Sequence, residues 1–511
     1  MKKLKYDICV IGSGPAGFAA AMRSYDFGNH VVIVEGDNLG GVGVRKGALS
    51  SKTLWELSSN YAIARRTDRG YRASSVRVNY NDVRQTVCQA VEEKEYQLLS
   101  QIETFAKTPD STRSITLIKG WATFKDSKNI LVKKEKETIE IEADNFVIAT
   151  GSKPREHPLL PIDGKRVVNS DHIFSIKKFP KRILIVGAGV IGCEFATIFA
   201  NFEQTHVHLL DSQSKVIPFE DNDISDYVGK KLHQAGVNIH HEATLRGIRE
   251  ESNHIDIILD YEDKHTEVIA VDMILVSIGR VPNIDNLGLE NTNIKIDERG
   301  RPQRDERCKV DKNIYVAGDI SGKMALVNIA EMEGRFVAKA IASKITYPLS
   351  YNNISTIMFF KPEISAIGLN EKECQARGIP YKVITYQHSI ISRAIAMRET
   401  DGFFKIIVTN EENPLILGMR AAGLQSAVSI VFIATIMNNN TRLNDIMKTT
   451  HPHPSISEGI QECLRILKNK SIMKPEAFPK EIQFRVWGNE IKAKVTPSKV
   501  KIQGDLVLEG N

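Results

Sequence analysis

At 511 residues, with 42% apolar and 25% charged residues, 34 Gly and 18 Pro, the chain has an ordinary globular composition and exceeds what one hydrophobic core organises, so roughly three or four domains are expected. Its 68 Lys and Arg against 62 acidic residues leave +6, too dilute to mark a nucleic-acid footprint. Six cysteines without a CxxC pair do not make a secreted disulfide framework, so a reducing, cytoplasmic compartment is expected.

The first predicted strand, Tyr6–Ile11, contains Asp7, which interrupts the apolar run that a signal peptide would need. GSGPAG follows with Gly12, Gly14 and Gly17, a helix is expected, and HVVIVE forms a second strand ending at Glu35. The order repeats further on: Arg182–Val186, then GAGVIG with Gly187, Gly189 and Gly192, then HVHLLD ending at Asp211. In such a motif one glycine permits the tight turn, the next lets the backbone approach a pyrophosphate, and the third lets helix and strand pack closely. The helix N-terminus then offers free N–H groups and its positive end to the phosphates. An acid roughly twenty residues on accepts hydrogen bonds from ribose hydroxyls, and Glu35 and Asp211 fit that spacing. Single glycine motifs arise by chance; two, each with strand, helix and acid, point to two bound dinucleotides, a flavin and a nicotinamide exchanging hydride.

Two echoes support the duplication, NFVIATGSKPR around Gly151 and DMILVSIGRVPN around Gly279. Each is a strand ending in a glycine and a basic, Pro-containing turn, the punctuation expected where a chain crosses between domains. NIYVAGDISG puts Asp319 just after a strand, placed either to reach sugar-like hydroxyls or to cap the following turn. The longest apolar run elsewhere, Ser426 to Met437, is too short for a bilayer, so no membrane span is expected.

Together these motifs resemble the class I pyridine nucleotide-disulfide oxidoreductases, in a layout similar to dihydrolipoamide dehydrogenase and soluble pyridine nucleotide transhydrogenase, over about residues 5–468. The resemblance implies an α/β fold with two Rossmann-like domains: a FAD domain split over 1–155 and 279–350, and a NAD domain at 156–278. It also implies an α+β interface domain at 351–470 that makes a homodimer, with a C-terminal β extension at 471–511 lying outside it. Carried over, Gly12, Gly14, Gly17, Glu35, Gly40 and Gly41 serve the ADP half of FAD, Asp319 its ribityl chain, and Gly151 and Gly279 flank the cofactors. Gly187, Gly189, Gly192 and Asp211 serve the nicotinamide nucleotide. Lys52 matches the lysine of the family's PSK and Glu194 the acid after GxGxxG, implying an ion pair beside the flavin N5 that favours the reduced, anionic ring. Without the family, Lys52 reads as a surface lysine and Glu194 as an ordinary helix residue. Asp211 would repel a 2′-phosphate and SQSKVIP offers only Lys215 to hold one, so NAD is expected rather than NADP.

One departure bears on function. Where the family reads GGTCLNVGCIPSK, this chain reads GGVGVRKGALSSK, placing Gly43 and Ala48 at both sulfur positions. Neither residue can form the thiolate or mixed disulfide of thiol exchange, so dihydrolipoamide oxidation by the family route is not expected. The remaining cysteines offer no pair: Cys9 lies in a strand, Cys88, Cys374 and Cys463 in helical stretches, Cys308 in a polar loop, and Cys193 beside Glu194 reads as a small core hydrophobe. HPHPSISE matches the family's HAHPTLSE, implying His453 as base and Glu458 as its orienting partner. The alternatives are an inherited turn set by Pro452 and Pro454, or a metal pair of His451 and His453. Arg45 and Lys46 enter the altered segment, either solvated or drawing an anionic or planar acceptor.

The tail EIQFRVWGNEIKAKV alternates Ile482, Phe484 and Val486 with Ile491, Ala493 and Val495 around Gly488-Asn489, a hairpin pattern, and residues 506–508 offer a further strand. It serves either to dock a protein partner or to cover the core. The expected function is a FAD-dependent NAD(P)H oxidoreductase passing electrons to a small-molecule acceptor that is not a disulfide, such as a second nicotinamide nucleotide or a quinone. The competing reading is a catalytically degenerate homologue kept as a FAD-bound scaffold in a larger assembly. No metal and no nucleic acid is expected in either case.

Overall fold

Near-continuous Val and Ile runs require strands buried on both faces, and the two glycine motifs leave such strands. The structure, a computed structural model, describes residues 2–73 and 75–489, which divide into two compact units: 2–214 with 236–350, and 215–235 with 351–489.

The first unit opens with β1 (Lys2–Ile11), α1 (Pro15–Asp26) and β2 (His30–Glu35), then runs through α2 (Gly41–Arg45), α3 (Ala48–Ala64) and α4 (Tyr80–Thr104). β3 (Ser114–Lys119), the hairpin β4 (Trp121–Asp126) and β5 (Asn129–Lys133), and β6 (Thr138–Ile148) follow. β1 is central and parallel to both neighbours, with Val10 set between Ile33 of β2 and Val147 of β6. A short strand, β7 (Ser152–Pro154), leads into the second half: β8 (Val167–Asn169), β9 (Arg182–Val186), α5 (Val190–Phe202) and β10 (His206–Leu210). Leaving α6 (Asn222–Gln234) to the second unit, the chain returns through β11 (Asn238–His240), β12 (Ala243–Glu250), β13 (Ile255–Tyr261), β14 (Thr266–Val271) and β15 (Met273–Val276). It crosses back through β16 (Arg280–Pro282) and closes the first sheet with β17 (Lys309–Asp311), β18 (Ile314–Val316) and α7 (Val327–Ile341). The strand orders are β17-β18-β6-β1-β2-β3 and β11-β10-β9-β15-β8, so two Rossmann-like sheets stand in one chain.

In the second unit β19 (Thr356–Met358), β20 (Ile364–Gly368), α8 (Glu371–Ala376), β21 (Tyr381–Gln387), α9 (Ser392–Met397), β22 (Phe403–Thr409) and β23 (Ile416–Ala422) precede α10 (Ser426–Asn438), α11 (Leu443–Ile446) and α12 (Glu458–Leu467). The apolar run from Ser426 is thus a helix that buries Ile430 and Ile433 in the core. The tail's first strand, β24 (Ile482–Trp487), pairs antiparallel with β21 as a sixth strand, and Ile482 is buried. This part of the tail therefore covers the sheet edge. Ile491, Ala493, Val495 and residues 506–508 lie outside the described residues.

Residues 215–235, expected within the 156–278 domain, pack with the second unit through buried charge. Lys405, only 1% exposed, sits within 2.8 Å of carboxylate oxygens of Asp221, Asp223 and Glu371, and Arg485 of β24 joins Asp223 and Glu371. Arg420 pairs with Glu220 at 2.9 Å, both buried. Such charges persist only where every partner is in place. Among the described residues no helix is long and apolar enough to cross a membrane.

Candidate functional site

Each glycine motif forms a cradle at a helix start. Gly12 has φ +100°, and a Cβ there would stand 2.4 Å from the Ala149 carbonyl oxygen; one on Gly17 would stand 2.0 Å from the Gly12 carbonyl oxygen. A Cβ on Gly14, the N-cap of α1, would meet nothing within 4 Å. Two of the glycines are therefore required by packing, while Gly14 leaves open space at the helix start, with Pro15 next in line lacking an N–H of its own. Glu35 is buried and orients this turn: its Oε2 accepts the Ser13 N–H at 2.7 Å and the Ser13 hydroxyl at 2.6 Å, while Oε1 accepts the Asp37 N–H at 2.7 Å. Gly40 and Gly41 complete the cradle, the Gly40 N–H reaching Ser13 Oγ at 3.3 Å and Gly41 lying against the Gly14 backbone.

The second copy follows the same plan. Gly187 has φ +101°, Gly189 caps α5, and a Cβ on Gly192 would stand 1.9 Å from the Gly187 carbonyl oxygen. Asp211 Oδ2 accepts the Ala188 N–H at 2.6 Å and Oδ1 the Gln213 N–H at 2.9 Å. In both copies the acid holds the amide one residue past the first glycine. An ionised carboxylate has about four acceptor positions, which leaves capacity for ribose hydroxyls. The open Gly14, the helix start and the acid together suit a dinucleotide.

The two echoes meet. β7 pairs antiparallel with β16, so the segments after Gly151 and Gly279 run side by side, and the Asn283 N–H donates to the Gly151 carbonyl as the Arg155 N–H does to that of Gly279. Arg280 donates to Ser152 Oγ at 2.9 Å and reaches Asp171 at 3.2 Å; Ser152 in turn donates to Asp319 Oδ2 at 2.7 Å. The Asp319 side chain thus points toward the crossing and does not cap its turn, whose N-cap is Gly318. Burial pushes the Asp319 carboxyl above its ordinary range against the pull of Ser152 and Arg280.

Lys52 on α3 and Glu194 on α5 meet at 2.7 Å, with Glu194 buried and Lys52 about a third exposed. The segment preceding Lys52 holds no sulfur. A Cβ on Gly43 would stand 2.9 Å from Pro15 Cγ, so the backbone is packed against the first cradle with no room for a side chain. Arg45 is paired with Glu95 at 2.5 Å and Lys46 with Asp37 at 2.7 Å, so both side chains are engaged by carboxylates of the chain. All six cysteines are free: Cys9, Cys193, Cys308, Cys374 and Cys463 are buried and Cys88 is exposed. Cys308 departs from the polar loop expected of it. It is 1% exposed, Arg304 lies 2.6 Å from its sulfur, and burial pushes its thiol up to about 12 despite that cation.

In the second unit His453 Nδ1 lies 2.8 Å from Glu458 Oε1, and the Ser455 N–H donates to Glu458 Oε2 at 2.9 Å. Burial opposes ionisation of Glu458, but the Ser455 amide and the His453 ring outweigh it and hold the carboxyl below its ordinary range. An ionised Glu458 makes Nδ1 the donor, so a neutral His453 carries its lone pair on the exposed Nε2, the arrangement a proton-transferring imidazole needs. His451 is set edge-on against Phe432 at 5.3 Å.

Sequence reasoning passed over Ser152 and Arg280 although both stand in the quoted echoes, because their contact arises only when the two segments pair antiparallel. It also missed Ser13, Arg304 and Glu333, and for the last two no local pattern gives a signal.

The family model for pyridine nucleotide-disulphide oxidoreductases matches residues 6–334, and that family's dimerisation domain matches residues 354–464. Dihydrolipoyl dehydrogenase of Bacillus subtilis strain 168 is 31% identical over 466 residues, covering 91% of this chain and 96% of that protein. The enzyme of the same name from Buchnera aphidicola subsp. Schizaphis graminum is 32% identical over 466 residues, covering 90% and 95%. Among solved structures, the HOCl-induced flavoprotein disulfide reductase RclA of Escherichia coli, as a Cu(II) complex, superposes with TM-score 0.81 at 26% identity, covering 91% of this chain and all of that one. LpdA of Mycobacterium tuberculosis has the same fold, with TM-score 0.81 at 23% identity and coverage of 91% and 100%.

Proposed function

The chain belongs to the pyridine nucleotide-disulphide oxidoreductases, and from that premise we propose that it takes hydride from NADH onto a bound FAD and passes the electrons to an acceptor that is not a disulfide, such as a second nicotinamide nucleotide or a quinone. The observation that carries this reading is the Lys52–Glu194 pair, retained at 2.7 Å beside a segment whose two sulfur positions are Gly43 and Ala48. When bound, FAD supplies the two-electron chemistry. Gly12, Gly14, Gly17, Glu35, Gly40 and Gly41 would hold its ADP half and Asp319 its ribityl chain, while Gly187, Gly189, Gly192 and Asp211 would hold the nicotinamide nucleotide. Asp211 disfavours a 2′-phosphate, and Lys215 is already paired with Asp226, which supports NAD over NADP. Lys52 places a fixed positive charge, and Glu194 keeps that charge in position. His453, oriented by Glu458, suits proton delivery to an acceptor that takes up protons with its electrons. The dimerisation domain supports a homodimer.

Anaerobic mixing of the FAD-loaded protein with NADH should bleach the flavin absorbance within one turnover, and a quinone or a nicotinamide analogue should restore it. A flavin that stays oxidised with NAD bound would refute the proposal and favour the scaffold role. Sustained reduction of NAD by dihydrolipoamide would refute the non-disulfide acceptor.

A further inference from the structure

We propose that Glu333 is a positioning residue that, from α7, sets the loop carrying Asp319 in register with the start of α1, so that one rigid helix fixes two separate contact points for FAD. The inference rests on the reading of Asp319 as a ligand of the ribityl chain and extends it to a residue that touches no cofactor.

Glu333 is 1% exposed. Its Oε2 accepts the Gly318 N–H at 2.6 Å, its Oε1 accepts from Arg304 at 3.0 Å, and the Ser321 hydroxyl lies 3.4 Å from both oxygens. Gly318 immediately precedes Asp319 and takes φ +82°, ψ −159°, a conformation L side chains avoid, so its peptide needs an external partner to stay in place. The Glu333 carboxylate is that partner. A buried carboxylate is tolerated only with a counter-charge, and Arg304 supplies one.

The following residue makes the second connection. A Cβ on Gly334 would stand 2.1 Å from the Ala16 carbonyl oxygen, so α7 and the first turn of α1 are in backbone contact at the point where Gly14 opens to solvent. Glu333 and Gly334 thus hold, from consecutive positions, the loop of Asp319 and the helix start that faces a diphosphate. A ligand that spans both points binds tightly only if their separation is set beforehand, because ordering them on binding costs affinity.

The test compares FAD affinity of flavin-free protein by flavin fluorescence, with thermal midpoints of the same flavin-free samples as the control for folding. Glu333→Ala should weaken FAD binding by about tenfold to a hundredfold, the loss expected for one buried hydrogen bond to a charged acceptor. Glu333→Gln combined with Arg304→Met keeps an acceptor for Gly318 without stranding a charge, and should stay within about threefold of the parent. Asp319→Ala separates the two levels of the argument. If it binds FAD as the parent does, the reading of Asp319 fails and the inference with it; if it loses FAD while Glu333→Ala retains it, only the inference is overturned. Should Glu333→Ala not fold, hydrogen exchange at the Gly318 amide of the unmodified, flavin-free protein decides: protection supports the clamp, and exchange at the rate of an open loop overturns it.

Discussion

Replacing His388 by Leu should make the second unit less sensitive to acid. His388 is 1% exposed and edge-on to Phe404 at 4.7 Å, and among the described residues neither of its ring nitrogens has a hydrogen-bond partner. Burial pushes its pKa from 6.5 down to about 4, with Asp401 pulling weakly the other way. The unfolded chain therefore takes up the proton more readily than the folded one. Above pH 6.5 the ring is neutral in both states and nothing is lost; between pH 6.5 and 4 the folded state is progressively disfavoured, and below pH 4 the loss levels off. A difference of about 2.5 pH units corresponds to about 3 kcal/mol at the plateau and about 2 kcal/mol at pH 5. The Phe404 ring against His388 also packs on the backbone next to Glu458, since a Cβ on Gly459 would stand 3.0 Å from it. Urea unfolding of the parent and of His388→Leu at pH 7.5 and pH 5.0 is the assay, with Leu chosen because its volume is close to that of His. The parent should lose about 2 kcal/mol more than the variant between the two conditions. Equal losses would refute the claim that this imidazole is held neutral by burial.

Lys405→Met should destabilise the second unit by about 3–5 kcal/mol, read as a lower urea midpoint, because it strands Asp221, Asp223 and Glu371 around an apolar side chain; a change under 1 kcal/mol would show that Arg485 alone balances the cluster. Gly43→Cys should cost about 1–3 kcal/mol, since its Cβ would press on Pro15, and should not restore dihydrolipoamide turnover without a second sulfur at position 48. Thermal melts and an NAD-reduction assay check both halves of that statement. Lys52→Met should slow bleaching of the flavin by NADH about a hundredfold while leaving FAD content unchanged, as stopped-flow absorbance would show; unaltered bleaching would remove Lys52 from the reaction.

What was legible in the sequence is local in its physics. A positive φ at Gly12 and Gly187 and the helix–strand contacts at Gly17 and Gly192 demand glycine within a few residues of a strand end, so the pattern is written contiguously. Lys52 and Glu194 are 142 residues apart, and only the family resemblance joined them. Glu333 and Arg304 gave no signal, because a helix glutamate and a loop arginine look like solvated residues until packing buries both. The same holds for Cys308, polar by its neighbours in sequence and buried in space.

From the sequence alone follow two glycine turns at helix starts and the absence of sulfur at positions 43 and 48, since backbone conformation near a glycine is decided within one turn and covalent composition needs no fold. The tertiary structure alone decided which charges are buried together, that the 215–235 segment and β24 gather around Lys405, that the His388 ring nitrogens are buried without a hydrogen-bond partner among the described residues, and that Glu333 holds the peptide before Asp319. Those outcomes depend on desolvation and on contacts across long stretches of chain, which arise only when separate elements exclude water from one another.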